Sequence, residues 1–227
     1  MSFDVRPLIT AFEDHRNPEN VRQMEQYMRN QFPFFGIKSP ERQELVRTFI
    51  NEYGLPDAEQ LYDVVNVLWE QPQRECQAAA LDMIGKAKRI LNERHMPLFE
   101  WMIVTKSWWD TVDTIAPNSC GLLFKSTPHL IDSYAENWIT DKNFWLRRAA
   151  LLYQLKYKRA TDEKRLFRYI LLNTDSDQFF IQKAIGWVLR EYSKTAPETV
   201  RQFIHEHDLK PLSKREGLKW LNRHSTC

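Results

Sequence analysis

Asp113, Arg148 and Lys183 follow one another at a constant step of about 35 residues, and each end of that series carries a tryptophan. Trp109 lies four residues before Asp113, and Trp187 lies four after Lys183. On a helix, a four-residue step returns to the same face. One carboxylate, two indoles and several cations can therefore share a surface. A carboxylate and the faces of indole rings both stabilise positive charge. Lysines and arginines in the same strip can follow an anionic chain, one charge to each phosphate. Lys156 lies two turns beyond Arg148 and Arg190 one turn beyond Trp187, which places both cations near the same side. A surface of this kind is a candidate reaction site.

Positioning such residues requires a repeated helical unit. Cys76–Leu81 aligns with Leu146–Leu151 at about twice the step, and Leu146–Leu151 with Ile181–Gly186 at one step. A fixed period in this range marks stacked helical units that share a continuous core. Nearly every segment reads as helix, and none alternates as a strand does. Asn17-Pro18 places an N-cap before a proline at the first helical position, and Ser39-Pro40 repeats the device. Gly54 closes the helix that Ser39 opens, and Asp57 starts the next. Ser213 and Glu216 have the spacing of a capping box. Small residues at Ala78, Ala79, Ala149, Ala150 and Ala184 allow close helix approach. The expected fold is all-α, a curved α-solenoid of HEAT-like helical repeats, forming a single domain over residues 1–227.

Composition narrows the function. The 227 residues can bury a substantial core. A net charge of only +2 excludes a histone-like polycation, so a nucleic-acid partner requires cations gathered on one surface. Cys76, Cys120 and Cys227 are odd in number and widely spaced, which fits neither a disulfide framework nor a zinc site. The first residues lack a cationic start followed by an apolar run, and no apolar stretch is long enough for a bilayer. A cytoplasmic protein without membrane attachment is expected. His205 and His207 point to different faces of a helix, so no metal is expected there. No glycine-rich phosphate loop or nucleophile elbow is present, and nothing calls for a cofactor.

The key residues also admit plainer roles. Trp108 and Trp109 are adjacent and cannot both face a helical core, since neighbours differ by about 100°. One can anchor packing while the other lines a groove, or both can serve packing, with Asp113 a surface charge. Arg147-Arg148 presents the same choice between a solvated pair and one arginine turned to the groove. Gly186 can permit close backbone approach beside Trp187, and Trp187 can itself be a packing residue. Phe179-Phe180 suits a core, although Phe179 falls in register with Trp109.

At these residues the chain resembles the AlkD family of DNA alkylation repair glycosylases. The resemblance runs through Val104–Asp110 with Val112-Asp113, Trp145–Ala150, Gln154–Lys158 and Phe179–Tyr192. It covers nearly the whole chain, including Phe34, Gly36-Ile37 and Pro211–Ser213. It implies HEAT-like repeats and excision of N3- and N7-alkylated purines from double-stranded DNA. Catalytic roles follow for Trp109, Asp113 and Trp187, and a DNA-backbone role for Arg148. Tyr27, which this family places in the cleft, is present. The set expected to meet DNA is then Arg148, Tyr27, Lys156, Lys183 and Arg190, in a monomer that encloses no base in a pocket. Two other readings stand beside this one. Some relatives bind DNA without catalysis, and helical solenoids commonly bind proteins.

Overall fold

The computed structural model describes residues 3–224, and among them no strand occurs. The chain divides after Leu98 into two compact units.

The first unit contains α1 (Arg6–Asp14), α2 (Pro18–Tyr27), α3 (Ser39–Tyr53), α4 (Gln60–Glu70) and α5 (Arg74–Lys86). Asn17 caps α2 by accepting the Glu19 N–H, with Pro18 at the first position as expected. Ser39 does not cap α3. The helix begins at Ser39 itself, after Lys38, whose side chain makes no cap bond. Gly54 ends α3 with φ of 84°, a conformation that favours glycine. Asp57 accepts the Glu59 and Gln60 N–H groups, so it caps the turn entering α4.

Apolar residues at helical spacing drive this unit together. Leu61, Val64, Val65 and Leu68 of α4 are fully buried and pack toward Cys76, Ala79, Ala80 and Met83 of α5. The irregular segment before α3 is held by a buried acid. Glu75 accepts the backbone N–H groups of Phe35, Gly36 and Ile37 at 2.9–3.1 Å. Gly36 has φ of 92°, and a Cβ there would lie 2.0 Å from the Asn17 carbonyl oxygen.

α6 (Met96–Val104) crosses the division and leads into the second unit. There α7 (Trp109–Ile115) runs through a π-helical stretch, Ala116–Cys120, into α8 (Gly121–Ser126). The cause of the stretch is Pro117, which has no N–H to give the Asp113 carbonyl four residues back. A second π-helical stretch, Ile131–Ala135, leads into α9 (Glu136–Trp138). Four longer elements follow: α10 (Phe144–Leu152), α11 (Glu163–Leu171), α12 (Phe179–Ser193) and α13 (Pro197–Glu206). The last helix is α14 (Pro211–His224).

Helix α10 packs against both α7 and α12, and α12 packs against α14. These four form one layer at the repeat spacing. Helices α9 and α11 pack against α10, and α13 packs against α12 and α14. On α12 the residues Ile181, Ile185, Val188 and Leu189 are buried. Their burial contributes on the order of 6–12 kcal/mol as an upper estimate. His207 Nδ1 pairs with the Phe203 carbonyl at 2.9 Å, and its ring stacks on Phe203. Cys227 lies outside the described residues. No helix among the described residues is long and apolar enough to cross a membrane.

Candidate functional site

The two adjacent tryptophans are separated by the start of a helix. Trp108 is extended, with φ of −156° and ψ of 165°, and α7 begins at Trp109. The Trp108 ring packs edge-on to Phe180 at 5.3 Å and tilted against Trp145 at 5.9 Å. Trp145 completes the cluster at 4.8 Å from Phe180. Trp108 is thus a packing residue. Trp109, half-buried, is one helical turn before Asp113 on α7.

Asp113 and Arg148 meet directly. Arg148 Nε donates to Oδ1 of Asp113 at 2.7 Å and Nη2 to Oδ2 at 2.8 Å, a two-pronged pair between α10 and α7. The third arm, Nη1, donates to the Phe180 carbonyl at the start of α12. The guanidinium also faces the Phe180 ring at 5.8 Å. Arg148 is therefore buried, 4% exposed, and ties together three consecutive helices of the layer. It is not the solvent-facing cation that a phosphate contact requires in the free protein. The Asp113 side chain keeps 15% of its surface. Burial pushes its carboxyl above the ordinary carboxylate range, against the opposing pull of Arg148.

Lys183, the third member of the register, turns the other way. Its Nζ lies 3.2 Å from Oε1 of Glu216 on α14. Arg190 Nη1 reaches Oε2 of the same carboxylate at 3.2 Å, and Lys219 Nζ meets both oxygens at 2.7 Å. Glu216 is not the partner of a capping box. Helix α14 begins two residues before Ser213, and the Ser213 hydroxyl donates to the Gln182 carbonyl on α12 instead. Nearby burial pushes the Glu216 carboxyl up, but its lysine partners outweigh this and hold it below the usual range.

Trp187, half-buried on α12, lies between Lys183 and Arg190 in helical order. It also falls on the face of Phe180, seven residues earlier, whose carbonyl receives Arg148. Gly186 beside it permits the expected close approach. A Cβ at Gly186 would lie 2.4 Å from Glu216 Cβ and 3.0 Å from the Ser213 carbonyl oxygen.

Lys156 is exposed, and its Nζ donates to Oδ1 of Asn118 at 2.5 Å. Asn118 sits in the π-helical stretch, and its Nδ2 donates to the Thr114 carbonyl. One side chain thus joins Lys156 to the turn that follows Asp113. Tyr27 belongs to the first unit, at the end of α2, and is 70% exposed. Phe179 is 48% exposed, whereas Phe180 enters the aromatic cluster. Sequence reasoning gave Glu216 only a capping role and passed over Asn118. Continuing the register from Lys183 by nearly one more step reaches Glu216, and that signal could have found it.

Comparisons with known proteins identify the family and the fold. A family model described as DNA alkylation repair enzyme matches residues 8–221. No curated protein matches the chain. A solved structure described as a predicted DNA alkylation repair enzyme from Enterococcus faecalis is 35% identical. The match covers 91% of this chain and 96% of that one, with a TM-score of 0.84. AlkD2 from Streptococcus mutans is 16% identical over 90% of this chain and 100% of its own, with a TM-score of 0.61. The protein smu.31 from Streptococcus mutans UA159 is 14% identical over 92% and 98%, with a TM-score of 0.59. These last two share the fold. With the family model spanning nearly the full length and a 35% identical relative built on the same all-helical repeats, the chain belongs to the family of AlkD-type DNA alkylation repair enzymes.

Proposed function

We propose that this protein is a monofunctional DNA glycosylase that hydrolyses the N-glycosidic bond of N3- and N7-alkylated purines in duplex DNA. The observation that carries the reading is the Asp113 carboxylate, buried yet not sealed, and fixed in direction by two bonds from Arg148.

Alkylation at N3 or N7 places positive charge on the purine, so the base departs readily and no strong general acid is required. The demand falls on the deoxyribose, which becomes oxocarbenium-like as the bond breaks. A carboxylate has about four acceptor positions, and Arg148 uses two. The remaining edge can face the sugar and orient water for attack. At about 4 Å and an effective dielectric near 20, one such charge interaction is worth about 4 kcal/mol before desolvation. The faces of Trp109 and Trp187 each add roughly 0.5–2 kcal/mol toward a cationic centre. These interactions strengthen as charge grows on the sugar, so they lower the barrier rather than merely binding substrate. Neutral bases lack the built-in activation and remain poor substrates.

Lys156, Lys183 and Arg190 supply exposed or half-exposed positive charge for the DNA backbone, and Tyr27 offers an exposed ring. Arg148 acts on DNA by holding Asp113 in place. No base pocket is needed, so bulky adducts are tolerated. The protein works as a monomer and needs no cofactor.

Release of free 7-methylguanine and 3-methyladenine from methylated duplex DNA tests the reading. Enzyme in excess should liberate both. Salt-sensitive binding of the duplex without any base release would make the protein a reader of damaged DNA rather than an enzyme.

A further inference from the structure

Three cations converge on a single buried acid at the junction of α12 and α14. The Glu216 side chain is only 6% exposed, whereas those of Lys183, Arg190 and Lys219 are 39%, 34% and 43% exposed. Both carboxylate oxygens are occupied: Oε1 by Lys183 and Lys219, Oε2 by Arg190 and Lys219. The group carries a net charge of about +2, with its anion inside and its cations outside. Lys183 and Arg190 lie four residues before and three after Trp187, so they flank the indole by one turn on each side. Glu216 can enter the gap between them because position 186 has no side chain. Lys and Arg side chains otherwise hold considerable rotamer entropy in water. An internal carboxylate that collects them removes part of that entropy before any ligand binds.

We propose that Glu216 is a positioning residue for DNA, holding Lys183, Arg190 and Lys219 as one preformed phosphate-binding cluster around Trp187. The inference rests on the duplex-DNA reading given above. It differs from simple electrostatics in the sign of its effect. Were Glu216 only a negative charge near a polyanion, removing it would tighten binding. If it positions the cations, removing it weakens binding even though the protein becomes more positive.

The test is the affinity of Glu216→Gln for an unmodified duplex, measured by fluorescence anisotropy at several salt concentrations beside the unaltered protein. The expected result is weaker binding and a shallower salt dependence. Every phosphate that the variant no longer neutralises reduces the slope of log affinity against log salt by about 0.9. Equivalently, the fall in affinity between about 50 and 200 mM salt shrinks about 3.5-fold for each such phosphate. Glu216→Asp, which keeps the anion, should recover most of the slope. Tighter binding by Glu216→Gln, or an unchanged slope, overturns the proposal. Should Glu216→Gln fail to fold, Lys183→Gln/Arg190→Gln alters only half-exposed side chains and still decides: its slope must fall by about 1.8, and no fall overturns the proposal. If the unaltered protein itself shows no salt-sensitive binding to duplex DNA, the functional reading fails instead.

Discussion

Replacing Arg148 with alanine is the sharpest probe of the pair at the centre of the second unit. The substitution removes both bonds to Asp113 and the bond to the Phe180 carbonyl. It leaves a carboxylate that is mostly out of water and has no counter-charge. Breaking a buried ion pair from one side typically costs about 3–5 kcal/mol. A ceiling exists, because the stranded carboxylate can take up a proton. From an ordinary carboxylate pKa of about 3.9, protonation at pH 7 costs about 4 kcal/mol. The expected loss at neutral pH is therefore about 3–4 kcal/mol.

The pH dependence has a definite sign. Without Arg148 the folded-state pKa of Asp113 is raised still further above its unfolded value. A raised carboxyl favours the fold only while protonated, so its contribution is complete below about pH 3.9 and is lost as pH rises through the folded value. The difference in stability between Arg148→Ala and the unaltered protein should accordingly be smaller near pH 4, where only the lost Phe180 bond and side-chain packing count, and grow toward pH 7. Urea denaturation followed by tryptophan fluorescence at the two pH values measures it, with each transition fitted separately in case the two units unfold apart. Adding Asp113→Asn should recover much of the loss, since no charge is then stranded. A loss below about 1 kcal/mol at pH 7 that does not change with pH would refute the buried-pair reasoning.

Asp113→Asn alone should reduce base release from methylated duplex by about 100-fold or more, with duplex affinity nearly kept; unchanged turnover removes Asp113 from the chemistry. In the unaltered protein the acid limb of the rate profile should lie above the ordinary carboxylate range, because burial raises the Asp113 pKa and the anion is lost as pH falls through it. Trp109→Leu or Trp187→Leu should slow release by roughly 2- to 30-fold, the equivalent of one cation–π interaction, whereas loss of the folded state in a thermal melt would assign that ring to packing. Gly186→Ala should destabilise the protein by about 1–3 kcal/mol in denaturant titration, since the new methyl would collide with Glu216 and the Ser213 carbonyl.

Local signals in the sequence proved the most legible. The asparagine-proline start of α2 and the glycine end of α3 follow from local sterics, and both stand in the structure as read. Gly186 also permits a close approach as read, although the neighbour it admits, Glu216, lies on another helix. The 35-residue register identified α7, α10 and α12 as neighbours and brought Asp113 to Arg148. It did not reveal that the two bond to each other, because a register places Cα positions and leaves side-chain direction open. Lys183 illustrates the point: its partner lies on the next helix rather than the previous one. Ser213 and Glu216 misled for a related reason. Their spacing suits a local cap, but both side chains found partners on α12, and a tertiary contact leaves no trace in local spacing. The π-helical stretches were invisible to a 3.6-residue pattern, although Pro117 could have signalled the first.

The widened turn behind Asp113 has a consequence for how this chain tolerates change. It accommodates one residue more than an ordinary helical turn. Deleting a single residue from Ala116–Cys120 would let the segment close into regular α-helix. Five residues at the π-helical pitch turn about as far as four at the α-helical pitch, so α8 would keep nearly its present phase relative to α7. Leu123 and Phe124 would stay on the core they now fill. The widened turn thus holds a spare residue without disturbing the direction of Asp113 or of the hydrophobic anchor that follows it.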